Sequence, residues 1–457
     1  MAGIGFELRK LLKKQSYMGL LEAYAYAGII GSGPWILSIF GIMLVGIMSL
    51  GIVVPHLLIA QFTVTVTYLF MTSLVITGIV QLSFTRFVAD RLFQKDEAAV
   101  LPNFNGLVLL AAALSLAVAL PCALFLFPGQ SVLYRILLAM GLAIMSSIWV
   151  ATVFLTGMKQ YRAILYIFAI GYGITVFAAM LLRYYLNMEG LLLGFVLGHF
   201  VLLMGMIWLV YAHYPSNHFL AFDIWKKGAM YRSLMATGFM FNLGIWADKL
   251  MFWYHPATGQ SVIGPLHASV IYDFPVFLAY ISVIPGMAVF LVRIETDFVE
   301  YYNRFYEAVR EGATLEYIER MRNHLVYYAQ RGLFDIALIQ AIAIFILFLL
   351  GESLLEWLGI STLYLPLLFV DMVGAGLQVV FLGILNVLFY LDQRRTVTYL
   401  TGLFLFLNIA LTALSLFLGA AWFGYGFALA MLLTVLVGLW ALTRKLEALE
   451  YETFMLQ

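Results

Sequence analysis

The feature that most constrains this chain is the recurrence of long apolar runs, each of about 20 residues, separated by charged or turn-rich breaks. A helix of that length crosses a hydrocarbon core of about 30 Å. About 12 runs can be marked, near 23–50, 58–84, 105–127, 132–156, 163–182, 190–211, 231–253, 270–291, 333–350, 365–390, 397–418 and 424–442. Backbone groups in lipid must be bonded within their own segment, so the runs read as helices, and the alternating pattern of a membrane barrel is absent. Composition agrees. Of 457 residues 64% are hydrophobic and 11% charged, which is too little polar material to clothe a water-soluble protein of this size.

Basic residues set the orientation. With both termini placed in the cytoplasm, all of the 25 Lys and Arg except Arg135, Arg183 and Lys249 fall on inner segments. The expected fold is therefore all-α and integral to the membrane, with about 12 transmembrane helices in two six-helix bundles, N-in and C-in. A basic start followed at once by an apolar run and a small-residue site is missing, which argues against a cleaved signal peptide. The single cysteine, Cys122, excludes a disulfide framework or a cysteine-based metal site.

Residues 1–22 read as an interfacial amphipathic helix, with Phe6, Leu8, Leu11 and Leu12 set against Arg9, Lys10, Lys13 and Lys14. A first bundle over 23–211, a linker over 212–230 and a second bundle over 231–457 follow. An offset of 207 residues superposes Tyr24 on Tyr231, Gly31 on Gly238, Gly78 on Pro285, Arg86 on Arg293 and Asp90 on Asp297. Two related halves with an even helix count suit a transporter. The one sizeable aqueous insert, 293–331, reads as two cytoplasmic helices with Thr314 near the start of the second. Its Tyr301, Tyr302, Tyr306, Tyr317 and Tyr328 are candidates for docking a partner; packing on the protein's own inner surface is the alternative.

No P-loop, zinc-protease helix or nucleophile elbow is present, and the seven histidines are scattered. No catalytic, cofactor-binding or metal site is expected, so an enzyme is disfavoured. Polar groups within spans are costly and mark a path or a partner. Gln61, Thr65, Tyr68 and Thr72 recur at three and four residues on one span, a hydroxyl and amide stripe suited to a sugar-like solute. Ser/Thr bonding between packed helices explains such a stripe equally well. Asn242, Trp246, Asp248, Lys249, Asp273 and Asp371 complete the substrate-path candidates, structural ion pairs being the other reading. Adjacent on a helix, Asp248 and Lys249 diverge by about 100°, which argues against their pairing and for a Lys249–Asp273 bridge. Gly31, Gly33 and Pro34, with Pro285 and Gly286, are hinge candidates because proline removes a helical hydrogen bond and clashes with the preceding turn.

The run from Met1 to Leu12, followed by Ala23 to Ser38 with its Gly31-Ser-Gly-Pro34, resembles the start of the PelG family of exopolysaccharide transporters. Length, span count and the insert between spans 8 and 9 extend the likeness along the chain. The family resembles the MOP (multidrug/oligosaccharidyl-lipid/polysaccharide) exporters, whose flippase-like fold sets two six-helix bundles around a central cavity. The resemblance implies inner-membrane export of an amino-sugar exopolysaccharide during biofilm matrix production. It also implies as partners a cytoplasmic PelF-like glycosyltransferase, a cyclic-di-GMP receptor (PelD-like) and a repeat-containing membrane protein (PelE-like). Two other readings stay open: a non-transporting scaffold for a synthase complex, and a proton- or sodium-coupled small-molecule antiporter.

Overall fold

The computed structural model describes residues 17–49, 57–157, 160–226 and 230–455. Most of the amphipathic stretch expected over 1–22 thus lies outside the described residues. In chain order come α1 (Tyr17–Ser49), α2 (Leu57–Phe93), α3 (Val100–Pro121), α4 (Val132–Gly157), α5 (Tyr161–His213) and α6 (Arg232–Tyr254). A two-stranded hairpin of β1 (Gln260–Ile263) and β2 (Leu266–Ala268) follows, paired antiparallel with Gln260 opposite Ala268. Then come α7 (Val270–Ile281), α8 (Ile284–Val292), α9 (Val299–Arg310), α10 (Leu315–Trp357), α11 (Leu365–Tyr390), α12 (Arg394–Leu418), α13 (Tyr425–Glu447) and α14 (Leu449–Met455).

Among the described residues, nine helical stretches are long and apolar enough to cross a membrane. One of them, Arg162–His213, has 52 residues, roughly 78 Å at the helical rise. That is more than twice a hydrocarbon core. Its helical dihedrals break at Asn187, where φ is 50° and ψ −123°, so α5 is two crossings joined end to end. α1 and α6, 33 and 23 residues long, are helices at two further apolar runs but are not among those nine. Large apolar side chains such as Phe125, Phe177, Phe345, Leu349 and Phe417 stand exposed along them, as lipid-facing positions do.

Two compact units are distinguished by their internal contacts. One comprises Pro34–Trp246 with Trp253–Ser269, the other Met1–Gly33 with Ala247–Phe252 and Val270–Gln457. In the first unit, α2, α3, α4 and α5 enclose Phe62, Phe84, Phe104 and Phe195, all essentially inaccessible. The two arms of α5 approach to backbone contact. A Cβ on Gly194 would lie 2.3 Å from the Ala179 nitrogen, the small-residue packing that membrane helices rely on. The segment after α5 is fastened to the start of α3. Asn103 donates to the Asp223 carboxylate (3.0 Å) and accepts from the Asp223 amide (2.7 Å), while the Ala221 amide donates to the Pro102 carbonyl (3.0 Å).

In the second unit α9 closes at Arg310, Gly312 turns with φ +67°, and Thr314 begins α10. The face carrying Ile318, Met321 and Leu325 is buried against the protein itself, with Phe305 and Ala308 of α9 among its neighbours in the core. α10 then continues without a break through its membrane crossing.

Candidate functional site

The richest polar cluster within crossings lies in the second unit. Asp248 and Lys249 of α6 are both buried. Lys249 Nζ stands 3.0 and 3.3 Å from the two oxygens of Asp248. This corrects the expectation that neighbours 100° apart would not pair: the four-carbon lysine stem is long enough to fold back over one residue. Asp248 also accepts from the Tyr272 hydroxyl (2.6 Å) and from the Asn408 amide (3.2 Å), and Thr412 donates to Asn408 Oδ1 (3.1 Å). Phe252 stacks on the Tyr272 ring at 3.8 Å, and Phe423 packs edge-on against Phe252 at 5.1 Å. Lys249 Nζ lies over the rings of Tyr280 and Phe427, at 5.3 and 5.1 Å from their centroids, a favourable site for a desolvated ammonium.

Asp371 of α11 is 2% exposed, and among the described residues neither of its carboxylate oxygens has a hydrogen-bond partner. It sits against Gly424, where a Cβ would come within 2.9 Å of its Oδ1 and where φ is +83°. A bare negative charge at such a place is costly. Asp273, one residue after Tyr272, is only half-buried.

The first unit takes up the other candidates. Thr65 is fully buried: its hydroxyl donates to the Gln61 carbonyl (2.7 Å) and meets the Tyr134 hydroxyl at 3.0 Å. It therefore works as a helix–helix contact in this conformation. Gln61 and Tyr68 point instead to the hairpin, Gln61 donating to the Val262 carbonyl (3.1 Å) and Tyr68 to that of His267 (3.0 Å). The Tyr68 ring lies 4.8 Å from that of Trp253, which in turn is 6.1 Å from Trp246. Tyr254, half-exposed, hydrogen-bonds Pro265 O (2.9 Å) and packs on His267. The neutral stripe is thus divided: Gln61 binds the hairpin backbone, Tyr68 joins an aromatic cluster, and Thr65 goes into packing. Thr72 is part-buried, and Asn242 donates to the Gly238 carbonyl at 2.9 Å.

Of the hinge candidates, Pro285 and Gly286 begin α8 immediately after the α7 break at Ser282–Val283. α1 stays helical through Gly31, Gly33 and Pro34, and the division between the two units falls between Gly33 and Pro34. The docking tyrosines separate as well. Tyr302 packs against Tyr390, and Tyr306 against Tyr302. Tyr301 stacks on Tyr328 at 4.3 Å and on His324 at 5.2 Å, leaving Tyr317 and Tyr327 outward.

Sequence reading missed Asn408 and Gln340. Each is a lone amide in an otherwise apolar stretch, Phe404-Leu-Phe-Leu-Asn408-Ile and Ala337-Leu-Ile-Gln340-Ala. That signal was available, since intramembrane polar side chains seek partners.

The helical arrangement is that of the MOP transporters. An outward-facing multidrug resistance MATE family transporter of the MOP superfamily matches over 93% of this chain and 96% of its own, with a TM-score of 0.65 at 12% identity. A MATE in complex with MaD3S gives 0.62 at 12% identity, again over 93% and 96%. A MOP superfamily transporter from Pyrococcus furiosus gives 0.60 at 12% identity over the same shares. No curated protein sequence matches the chain.

The chain belongs to the PelG family of exopolysaccharide exporters (EPS-E), which its sequence matches over residues 1–454. It is a multi-pass membrane protein of transporter fold, and family and fold alike indicate a transporter rather than an enzyme.

Proposed function

We propose that this protein carries an amino-sugar exopolysaccharide across the inner membrane during biofilm matrix production, receiving it from a cytoplasmic PelF-like glycosyltransferase. The observation that carries this reading is the family match over nearly the whole chain, on a fold shared with MOP transporters. The contact surface we assign to the polymer is the part-buried rings of Tyr68 and Trp246, each packed against the buried Trp253. Ring faces stack on the apolar faces of sugars while amides and hydroxyls meet their hydroxyl groups. Liposome flux of defined oligosaccharides tests it. Tyr68→Ala and Trp246→Ala should each lower flux several-fold at unchanged protein level, and equal flux in both would remove the assignment.

Asp371 favours an ion gradient over a simple push from synthesis as the energy source. A buried carboxylate with no hydrogen-bond donor among the described residues is a place where a proton or sodium ion gains by binding. Asp371→Asn should make flux indifferent to an imposed gradient while leaving oligosaccharide binding intact. A gradient response that survives the change sinks this part.

For the synthase partner, the outward Tyr317 and Tyr327 of α10 are the surface we assign. Changing both to serine should release a PelF-like enzyme from membranes without altering helix content; an enzyme that stays bound excludes this surface. PelD- and PelE-like proteins complete the proposed assembly.

A further inference from the structure

Between α8 and α9 the chain makes a π-helical turn, Arg293–Phe298. Such turns put one extra residue into a helix and recur at functional sites. Glu295 lies in this one. Its Oε1 accepts from Asn386 Nδ2 at 3.2 Å and its Oε2 from the Tyr390 hydroxyl at 2.9 Å, both donors standing near the end of α11.

The carboxylate differs from the acids around it. Asp297 binds Arg293 at 2.9 Å, and Asp335 binds Arg293 at 2.9 Å and Arg331 at 3.1 Å. Glu300 pairs with Arg304, Glu450 with Arg322 (2.9 Å) and Glu452 with Lys445 (2.6 Å). Glu295 is part-buried, yet among the described residues no basic side chain lies within ion-pair distance of it, and both of its donors are neutral. An ionised carboxylate oxygen has room for two hydrogen bonds; each oxygen here receives one from the described residues. Rings border the group. Tyr302 lies 5.3 Å and Phe298 5.7 Å from the Tyr390 ring. Asn386, Tyr390 and Tyr302 are part-buried too, so the cluster is not sealed in the core.

A hard metal ion is a poor occupant, because it needs several oxygen ligands converging on one point. Among the described residues no three His, Cys, Asp or Glu side chains gather in that way. A pyranose suits the chemistry better. Its hydroxyls and the N–H of a 2-amino substituent donate to the open acceptor positions, while its C–H face lies against a tyrosine ring.

We propose that Glu295, with Asn386 and Tyr302, forms a subsite for one amino-sugar residue of the polymer. In the orientation that the basic residues set, it stands at the cytoplasmic end, where the polymer enters. The inference rests on the exporter reading above and deepens it.

The test is calorimetric binding of two probes, an N-acetylhexosamine trisaccharide and its de-N-acetylated form, to the full chain in nanodiscs. Tyr68→Ala and Trp246→Ala are present throughout, so that the contact surface assigned above does not contribute. Glu295→Gln keeps the side-chain shape and one acceptor oxygen; it should weaken both probes about tenfold, the loss of one hydrogen bond to a charged group. Tyr302→Leu should weaken both about fivefold through lost stacking. Glu307→Gln, an exposed acid on α9, should change neither. Unchanged affinity in Glu295→Gln or in Tyr302→Leu overturns the subsite, and so does the lack of saturable binding in the parent chain. A loss confined to the de-N-acetylated probe overturns it as well, because Glu295 would then hold a cation rather than a sugar. Tyr302→Leu leaves the hydrogen-bonded group itself unaltered and carries the test if Glu295→Gln fails to fold. Binding needs no transport. A chain that binds through Glu295 but passes no oligosaccharide loses the exporter reading alone, and one that transports while Glu295 has no effect on binding loses the subsite alone.

Discussion

Gln340 of α10 braces the α7–α8 break from both sides: its Oε1 accepts from the Gly286 amide at 3.2 Å and its Nε2 donates to the Ser282 carbonyl at 3.1 Å. Pro285 interrupts the helix there, and one amide side chain supplies partners to the backbone groups so freed, as lipid burial requires. A Cβ at Gly286 would fall 2.4 Å from Gln340 Oε1.

Gly286→Ala should therefore displace the amide and cost about 1–3 kcal/mol, the range for leaving buried polar groups unsatisfied. Gln340→Ala should cost a similar amount, and the double variant less than the sum, because the clash disappears with the amide. Thermal unfolding in detergent reads all three. Strict additivity would show that the two residues do not act together.

The Asp248–Lys249 pair gives a second prediction. Removing one member strands a buried charge, at about 3–5 kcal/mol. Lys249→Met and Asp248→Asn should each destabilise strongly, and Lys249→Met with Asp248→Asn should recover much of the loss. Tyr272 and Asn408 remain positioned to meet the neutral side chain. Equal melting temperatures for the single and double variants would contradict this account of the cluster.

Thr65 and Tyr68 sit on one helical stripe yet should behave differently. Thr65→Val removes a buried hydroxyl that meets Tyr134 and should lower stability by about 1 kcal/mol, with oligosaccharide flux per folded molecule unchanged. Tyr68→Phe should leave stability nearly as it was and loosen the hairpin, seen as faster hydrogen exchange over 260–268. The reverse pattern would place Thr65 on the polymer path.

Acid should release the segment before α6. Hydrogen bonds from Asn103, then the Lys226 side chain, hold Asp223 below the ordinary carboxylate value of 3.8. A depressed value means that the contribution is complete above 3.8 and is lost as pH falls through the lower folded value. Limited proteolysis around Phe219–Trp225 should stay slow near neutrality and accelerate only below about pH 4. In Asn103→Leu the acceleration should begin at higher pH, because the largest cause of the depression is gone.

How much of this could be read in advance follows from what each feature depends on. Hydropathy over a window of about 20 residues and the 3.6-residue period are local properties of the chain. They gave the crossings, the turn at Gly312–Thr314 and the intramembrane polar residues. Partner choice is different, because it depends on distances between segments far apart in the chain. Nothing in the sequence near Thr65 distinguishes burial on Tyr134 from exposure to a path. Nothing near Lys249 tells that its stem turns back to Asp248 under Tyr280 and Phe427, or that Asn408 and Gln340 supply the missing amides. By itself the sequence determined which segments enter the membrane, because transfer of each residue into lipid is nearly independent of the rest. Only the tertiary structure decided which polar groups satisfy one another and left Asp371 without a hydrogen-bond partner among the described residues, because hydrogen bonds and ion pairs act over about 3 Å and need both atoms in place.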